Sequence, residues 1–242
     1  MNIISSASRQ IILDTETTGM NQGSGPIYKG HRVIEIGGVE MINRKLTGRH
    51  YHQYINPQQL IDAEAIGVHG ITDAFVADKP TFAQIAQSFL DFVDGAEIVA
   101  HNAPFDISFL DHELGMLNPQ GPQLAEICGV LDSLDIAKFL HPGQKNNLDA
   151  LCKRYHIDNS RRDLHGALLD AEILADVYLA MTGGQTKLEL SSEEAGQERG
   201  DVMRLAQNRN ALKVIRANAD VMSIHESRLD LVAKSGKCLW RG

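Results

Sequence analysis

Residues 11–19 read Ile11-Ile12-Leu13-Asp14-Thr15-Glu16-Thr17-Thr18-Gly19, and this run decides the fold. Three large apolar residues lead directly into two carboxylates one residue apart, and a glycine closes the run. A short apolar, β-branched run bounded by glycine predicts a buried strand. Side chains alternate across a strand, so Asp14 and Glu16 share a face. Two carboxylates together at the end of a buried strand repel each other and lose hydration. A divalent cation with oxygen ligands relieves both costs. An isolated D-x-E also suits an exposed edge strand facing water, so further ligands have to come from elsewhere in the chain.

The whole chain sets the frame for that search. Its 242 residues suffice for one large domain, or one domain with an appendage. With 43% hydrophobic and 22% charged residues it has the composition of a soluble globular protein. No apolar run approaches a membrane span, and the Ser-containing N-terminus lacks the apolar core of a secretion signal. Cys128, Cys152 and Cys238 are odd in number and widely spaced, which argues against a disulfide framework and a zinc site. A reduced, cytoplasmic protein is the expectation. The formal charge of −8, from 31 acidic and 23 basic residues, excludes a broad basic face for gripping nucleic acid. Contact with a polyanion must then be local, metal-mediated or aided by a partner.

After the first strand, residues 20–30 are rich in Gly, Asn, Ser and Pro and read as a loop. The runs Val33–Glu40 and His50–Ile55 predict two more strands, completing an antiparallel meander. Residues 57–70 read as irregular. Pro80-Thr81-Phe82 opens a helix whose apolar positions Phe82, Ile85, Phe89 and Phe92/Val93 keep helical spacing. Glu97-Ile98-Val99-Ala100 predicts a short buried strand. Three strands followed by alternating helix and strand point to an α/β domain with a mixed sheet flanked by helices.

Three later segments carry candidate chemistry. His101-Asn102-Ala103-Pro104-Phe105-Asp106 follows the fourth strand, and Pro104 suits the first turn of a helix that continues through Phe109, Leu110 and Leu114. Asp106 then lies where strand ends gather, although a helix N-terminus also favours a carboxylate for its own sake. Another helix starts at Asn146–Cys152. The helix from Gly166 to Met181 places Ile173, Leu174, Val177 and Met181 on one stripe, and Asp170 shares it. Glu172 and Asp176 fall on a solvated face. A carboxylate on the buried stripe needs a partner, and a metal shared with Asp14 and Glu16 would be one. His165, five positions before Asp170, belongs to the entering loop, where it can lie over the site.

Taken together, these segments resemble the histidine-type DEDD 3′→5′ exonucleases of the ribonuclease H-like fold. The likeness rests on Asp14-Thr15-Glu16, on His101–Asp106, and on His165 with Asp170 in an H-x-x-x-x-D arrangement, all in the family's order. It covers the chain from the first strand to Met181, and no catalytic position departs from the family pattern. Within the family the chain is most similar to proofreading subunits of bacterial replicative polymerases. The segments Glu64–Ile71 and Leu164–Ala171 and the ending Cys238-Leu239-Trp240 carry that narrower likeness. The resemblance implies that Asp14, Glu16, Asp106 and Asp170 hold two divalent cations, Mg²⁺ or Mn²⁺. One would activate a water and the other stabilise the departing 3′ oxygen, with His165 as general base and 5′-mononucleotides as products. It also implies that Glu64 and His69, with Glu16 and Asp170, bind the terminal nucleotide of a single-stranded or frayed DNA 3′ end.

Three parts follow from this reading: an exonuclease domain over 1–182, a flexible linker over 183–200, and a partner-binding segment over 201–242. Gly183-Gly184 stops the helix, and the polar stretch behind it has linker composition. Gln185-Thr186-Lys187-Leu188-Glu189-Leu190 resembles peptides that bind the sliding clamp, with Gln185, Leu188 and Leu190 as anchors, although a linker with two leucines would read the same. Residues 201–242 are too few to fold alone yet keep apolar residues at helical spacing, which suits folding on a partner. The resemblance names that partner as the polymerase's alpha subunit, and it adds a small theta-like third subunit as a candidate. A tethered exonuclease is the leading expectation. A free-standing enzyme acting on RNA or DNA ends is the alternative, and an inactive scaffold is disfavoured by the intact carboxylate set.

Overall fold

The computed structural model describes residues 7–160, 164–183, 218–235 and 240. The chain divides into two compact units, Met1–Leu188 and Glu189–Gly242. In the first unit the strands are β1 (Arg9–Thr17), β2 (Val33–Ile42), β3 (Lys45–Tyr54), β4 (Glu97–Ala100) and β5 (Gly129–Asp132). They form one mixed sheet in the order β3-β2-β1-β4-β5, antiparallel across β3-β2-β1 and parallel from β1 to β4 and β5. The helices are α1 (Ala63–His69), α2 (Asp73–Val76), α3 (Phe82–Val93), α4 (Ala103–Leu117), α5 (Leu124–Ile127), α6 (Ser133–Leu140), α7 (Leu148–Tyr155) and α8 (Ala167–Thr182).

Helices cover both faces of the sheet, so β1 is apolar on both sides. Ile11 and Leu13 join Phe82, Phe89 and Phe109 of α3 and α4 in one core. Ile12 joins Leu174, Val177 and Tyr178 of α8 in the other. The alternation then sorts the polar end of the strand. Asp14 and Glu16 continue the α8 side, while Thr15 continues the α4 side. Asp170, Ile173, Leu174, Val177 and Met181 are all buried along α8, whereas Glu172 and Asp176 are exposed. Burying that stripe of α8 carries Asp170 onto the sheet beside β1.

The stretch 57–70 is not irregular throughout. It holds α1, which runs from an extended Asp62 to Gly70 in the left-handed conformation at φ 73°. Seven residues with an internal Gly67 give too few turns for an apolar period to show, but the closing glycine is a helix-stop signature. Strand β2 runs past the expected Glu40 to Ile42, and β3 starts before the expected His50 and ends at Tyr54, short of Ile55; a tight turn through Asn43 and Arg44, both at positive φ, joins them. Pattern reading leaves the strand β5 and the helix α6 unassigned; β5 extends the sheet beside β4, and α6 follows it directly. Arg32 ties the loop before β2 to α4 through a bidentate pair with buried Glu113, both contacts at 2.7 Å.

In the second unit the described structure is a helix, α9 (Ala219–Ser235), and Trp240. The anchors of the expected clamp peptide, Gln185, Leu188 and Leu190, lie outside the described residues, as does Cys238. Among the described residues no helix is long and apolar enough to cross a membrane. Cys128 and Cys152 are buried and form no disulfide, and burial pushes the Cys128 thiol up to about 11.

Candidate active site

The C-terminal ends of the parallel strands β1 and β4 open onto one cleft of about 360 Å³. In doubly covered α/β sheets this is where ligand sites form, because side chains from several strand ends and helix starts converge there. Asp14, Glu16, Asp106, His165 and Asp170 all line it, drawn from β1, α4 and the entrance to α8. Thr15, His101, Asn102, Phe105, Asn147, Leu148 and Asp149 complete the wall.

Each acid reaches the cleft by a different route. Asp14 and Glu16 sit half-buried at the end of β1. Asp106, in the first turn of α4, is 3% exposed and accepts the Thr15 hydroxyl at 2.7 Å. Burial is the largest influence on Asp106 and lifts its pKa to about 7, against the lowering effect of the Thr15 hydrogen bond. Such a carboxyl holds its charge at neutral pH only if a positive group arrives. Asp170 is 2% exposed and lies 3.2 Å, Oδ2 to Nδ1, from His165, whose side chain is 46% exposed.

The donor set fits hard divalent cations. Ligand atoms of Glu16, His165 and Asp170 lie within 4.8 Å of one another, with the carboxylates of Asp14 and Asp106 on the same wall. Carboxylate oxygens suit Mg²⁺ or Mn²⁺, and no thiolate is present to favour a softer metal. The tight cluster takes in His165 rather than the four acids alone.

Glu64 and His69 do not line this cleft. They border an adjoining cavity of about 250 Å³, which shares Glu16 and Phe105 with it and adds Met20, Ala65 and Val68. Glu64 is exposed, while His69 is buried at the end of α1. The Ile71 N–H donates to His69 Nδ1 at 3.0 Å, which places the ring proton on Nε2. That buried Nε2 faces the Thr17 backbone short of full hydrogen-bond geometry. Burial, above all, pushes the His69 pKa down, so the ring is neutral near pH 7.

Several wall residues carry roles the sequence did not single out. The His101 ring is clamped between Ser133 Oγ at 3.0 Å and the Asn146 carbonyl at 2.8 Å, and burial lowers its pKa. Asn102 has φ 74°, a left-handed conformation that non-glycine residues seldom adopt, and its N–H donates to Asp132 Oδ1 at 3.0 Å. Their signal was the quoted His101–Asp106 segment itself. Asn147 and Asp149 gave only the start of a helix.

The chain is similar in sequence and in fold to several known proteins. A family model described as Exonuclease matches residues 11–178. DNA polymerase III subunit epsilon of Escherichia coli (strain K12) is 54% identical over 238 residues, covering 97% of this chain and 98% of that protein. Its namesake from Pasteurella multocida (strain Pm70) is 50% identical over 248 residues, covering 99% and 96%. Among solved structures, exonuclease X in complex with 5′-overhanging duplex DNA superposes with a TM-score of 0.55 at 28% identity, over 72% of this chain and 91% of its own. The nuclease domain of 3′hExo, a DEDDh family member bound to rAMP, gives 0.59 at 20% identity, over 74% and 94%, and supports the fold alone.

Proposed function

The chain belongs to the DEDDh exonuclease family as a proofreading 3′→5′ exonuclease of the DNA polymerase III epsilon type, and from that membership we propose how its residues do the work. The observation that carries the reading is the convergence of Asp14, Glu16, Asp106 and Asp170 on one cleft with His165 at its mouth. The four carboxylates would hold two divalent cations, Mg²⁺ or Mn²⁺. When bound, these supply activation of a water and stabilisation of charge at the scissile phosphate. His165 takes the water's proton as general base, because imidazole exchanges a proton near neutral pH at little cost. Asp170 holds the ring through Nδ1 and fixes its direction. Thr15 orients the Asp106 carboxylate.

The adjoining cavity receives the 3′-terminal nucleotide. Met20, Ala65, Val68 and Phe105 offer apolar surface to a base, the His69 ring edges the cavity against the nucleotide, and Glu64 offers a polar contact to its sugar or edge. Hydrolysis then releases 5′-mononucleotides. A cleft walled by acids on a chain of net charge −8 holds DNA poorly unaided, so the 3′ end is delivered by the polymerase.

Residues 201–242 supply the tether to the polymerase III alpha subunit, joined to the exonuclease domain (1–182) by the linker 183–200. Helix α9 supports this, since Val221, Met222, Ile224, Leu231 and Val232 are all exposed, as is Trp240 at 84%. Exposed apolar residues in that number on one helix suit burial against another protein. Gln185, Leu188 and Leu190 would add a contact to the sliding clamp, and a theta-like subunit would join the same assembly. Such an enzyme works in the cytoplasm, where the chromosome is copied.

The test is degradation of a 5′-labelled single-stranded DNA by the purified full chain with Mg²⁺ or Mn²⁺, beside matching RNA, EDTA and His165→Ala. A ladder shortening from the 3′ end, faster on DNA and lost in both controls, is expected. Preference for RNA would indicate a free-standing nuclease, and a folded but inactive protein would indicate a scaffold.

A further inference from the structure

Helix α8 brings Asp170 to the cleft and the loop entering it brings His165, yet the helix begins on Gly166, which has no side chain to cap it. The first N–H groups of a helix lack partners within the helix and need an acceptor when buried. Here the acceptor comes from the sheet. Glu35 of β2 is 1% exposed, and its Oε2 accepts the Ala167 N–H at 3.2 Å. Its Oε1 is paired with His52 Nε2 of β3 at 2.7 Å. Burial first, and the nearby Glu35 carboxylate next, raise the Tyr54 pKa.

Register explains why Glu35 can reach. It lies directly opposite Glu16 in the antiparallel ladder, and Gly37 lies opposite Asp14. Opposed residues share a face, so Glu35 and Gly37 look toward α8 beside the two acids of β1. Gly37 leaves that face bare. A Cβ built there would sit 2.2 Å from both the Ala167 carbonyl carbon and the Leu168 nitrogen. Strand β2 thus forms a socket with a bare floor at Gly37 and one acceptor at Glu35, and the first turn of α8 seats in it. Asp170 closes that turn through its N–H to the Gly166 carbonyl at 2.8 Å.

A second buried acid directly across from Glu16 is electrostatically costly and contributes nothing to the apolar core. We propose that Glu35, held by His52, is a positioning residue for the exonuclease reaction: it caps α8 from the neighbouring strand and so fixes His165 and Asp170 against Glu16. Its negative charge also suits the positive end of the helix. The proposal rests on the catalytic roles given above to His165 and Asp170.

The test uses the full chain with Glu35→Gln, which keeps an oxygen acceptor, and Glu35→Met, which keeps the length and loses the acceptor. Two readouts are taken: kcat and KM on single-stranded DNA with Mn²⁺, and hydrogen exchange of the Ala167 amide without metal. For Glu35→Met, kcat falls about 30-fold while KM stays within about threefold, and Ala167 exchanges about tenfold faster. Glu35→Gln stays within about threefold of the parent on every readout. Full activity in Glu35→Met, or an Ala167 amide that stays protected there, overturns the proposal. If Glu35→Met does not fold, Glu35→Asp keeps the charge and shortens the reach by one methylene. The same fall in kcat and faster Ala167 exchange are then expected, and unchanged values overturn the proposal. Inactivity of the parent chain would strike the proposed function instead, while the amide exchange would still report on the socket.

Discussion

Two helix N-termini deliver a buried acid to the same cleft, and they are built in different ways. The start of α4 is written in its own residues: Asn102 takes the left-handed conformation, Pro104 sits in the first turn, and the Phe105 N–H returns to the Asn102 carbonyl at 2.9 Å. The start of α8 is borrowed, with a glycine at the cap and an acceptor 132 residues away in sequence. Their acids, Asp106 and Asp170, are almost equally buried. Burial raises the proton affinity of Asp106 despite the Thr15 hydroxyl it accepts, while Asp170 is tied to a half-exposed imidazole. A locally coded end thus carries the acid whose burial most favours the proton, and a borrowed end carries the pair to which we assign the proton transfer.

The sharpest test of the α4 side is Asp106→Asn. Activity should fall about a thousandfold, since a neutral amide is a poor ligand for the cations this cleft would hold. The same change should stabilise the metal-free protein at pH 8 by up to about 4 kcal/mol in urea unfolding. The sign follows from the folded-state pKa of about 7 against an ordinary 3.8. The folded state binds the proton more tightly, so Asp106 costs stability progressively as pH rises from about 4 to about 7, and the full cost persists above that. An Asn variant with no gain at pH 8, or an equal gain at pH 4, would contradict this account of Asp106.

On the α8 side, Gly37→Ala pushes a methyl into the backbone of Ala167 and Leu168. Displacing the first turn by about 1 Å should lower kcat about 100-fold and cost about 2 kcal/mol. A variant that melts lower but keeps its kcat would show that catalysis tolerates movement of α8, and the contrast between the two ends would collapse. Thr15→Val removes the hydroxyl from Asp106 and should lower activity about tenfold and stability by about 1 kcal/mol. Because that hydrogen bond lowers the Asp106 pKa, its loss should move the acid's titration, followed by carboxyl NMR, to still higher pH. The smallest effect belongs to Asn102, where alanine at φ 74° should cost about 1 kcal/mol and glycine at most a few tenths. Equal costs for the two substitutions would mean that the amide side chain, rather than the left-handed backbone, holds the start of α4.

Much of this architecture is readable because it is periodic. Two-residue alternation puts Asp14 and Glu16 on one face with Ile12, and helical spacing puts Asp170 on the stripe of Ile173, Leu174 and Val177. The short elements escape the same reading. Helices α1, α2 and α5 and the strand β5 each span seven residues or fewer, too little for a period to rise above chance. Glu35 escapes for another reason: within Val33–Glu40 it looks like an ordinary polar position of an alternating strand, and nothing nearby in sequence distinguishes it from a solvated one. The cavity beside the cleft is a similar case, since Met20, Val68 and Phe105 come from three separate segments.

The sequence by itself determined the acids, their order, the faces they share and the helix starts that carry local signals, because backbone dihedrals impose those periods residue by residue. Tertiary structure decided how buried Asp106 becomes, which hydroxyl it meets, how His165 is held and what caps α8. Those properties depend on which distant segments are pressed together, since desolvation and long-range hydrogen bonds arise only once the sheet and its helices have packed.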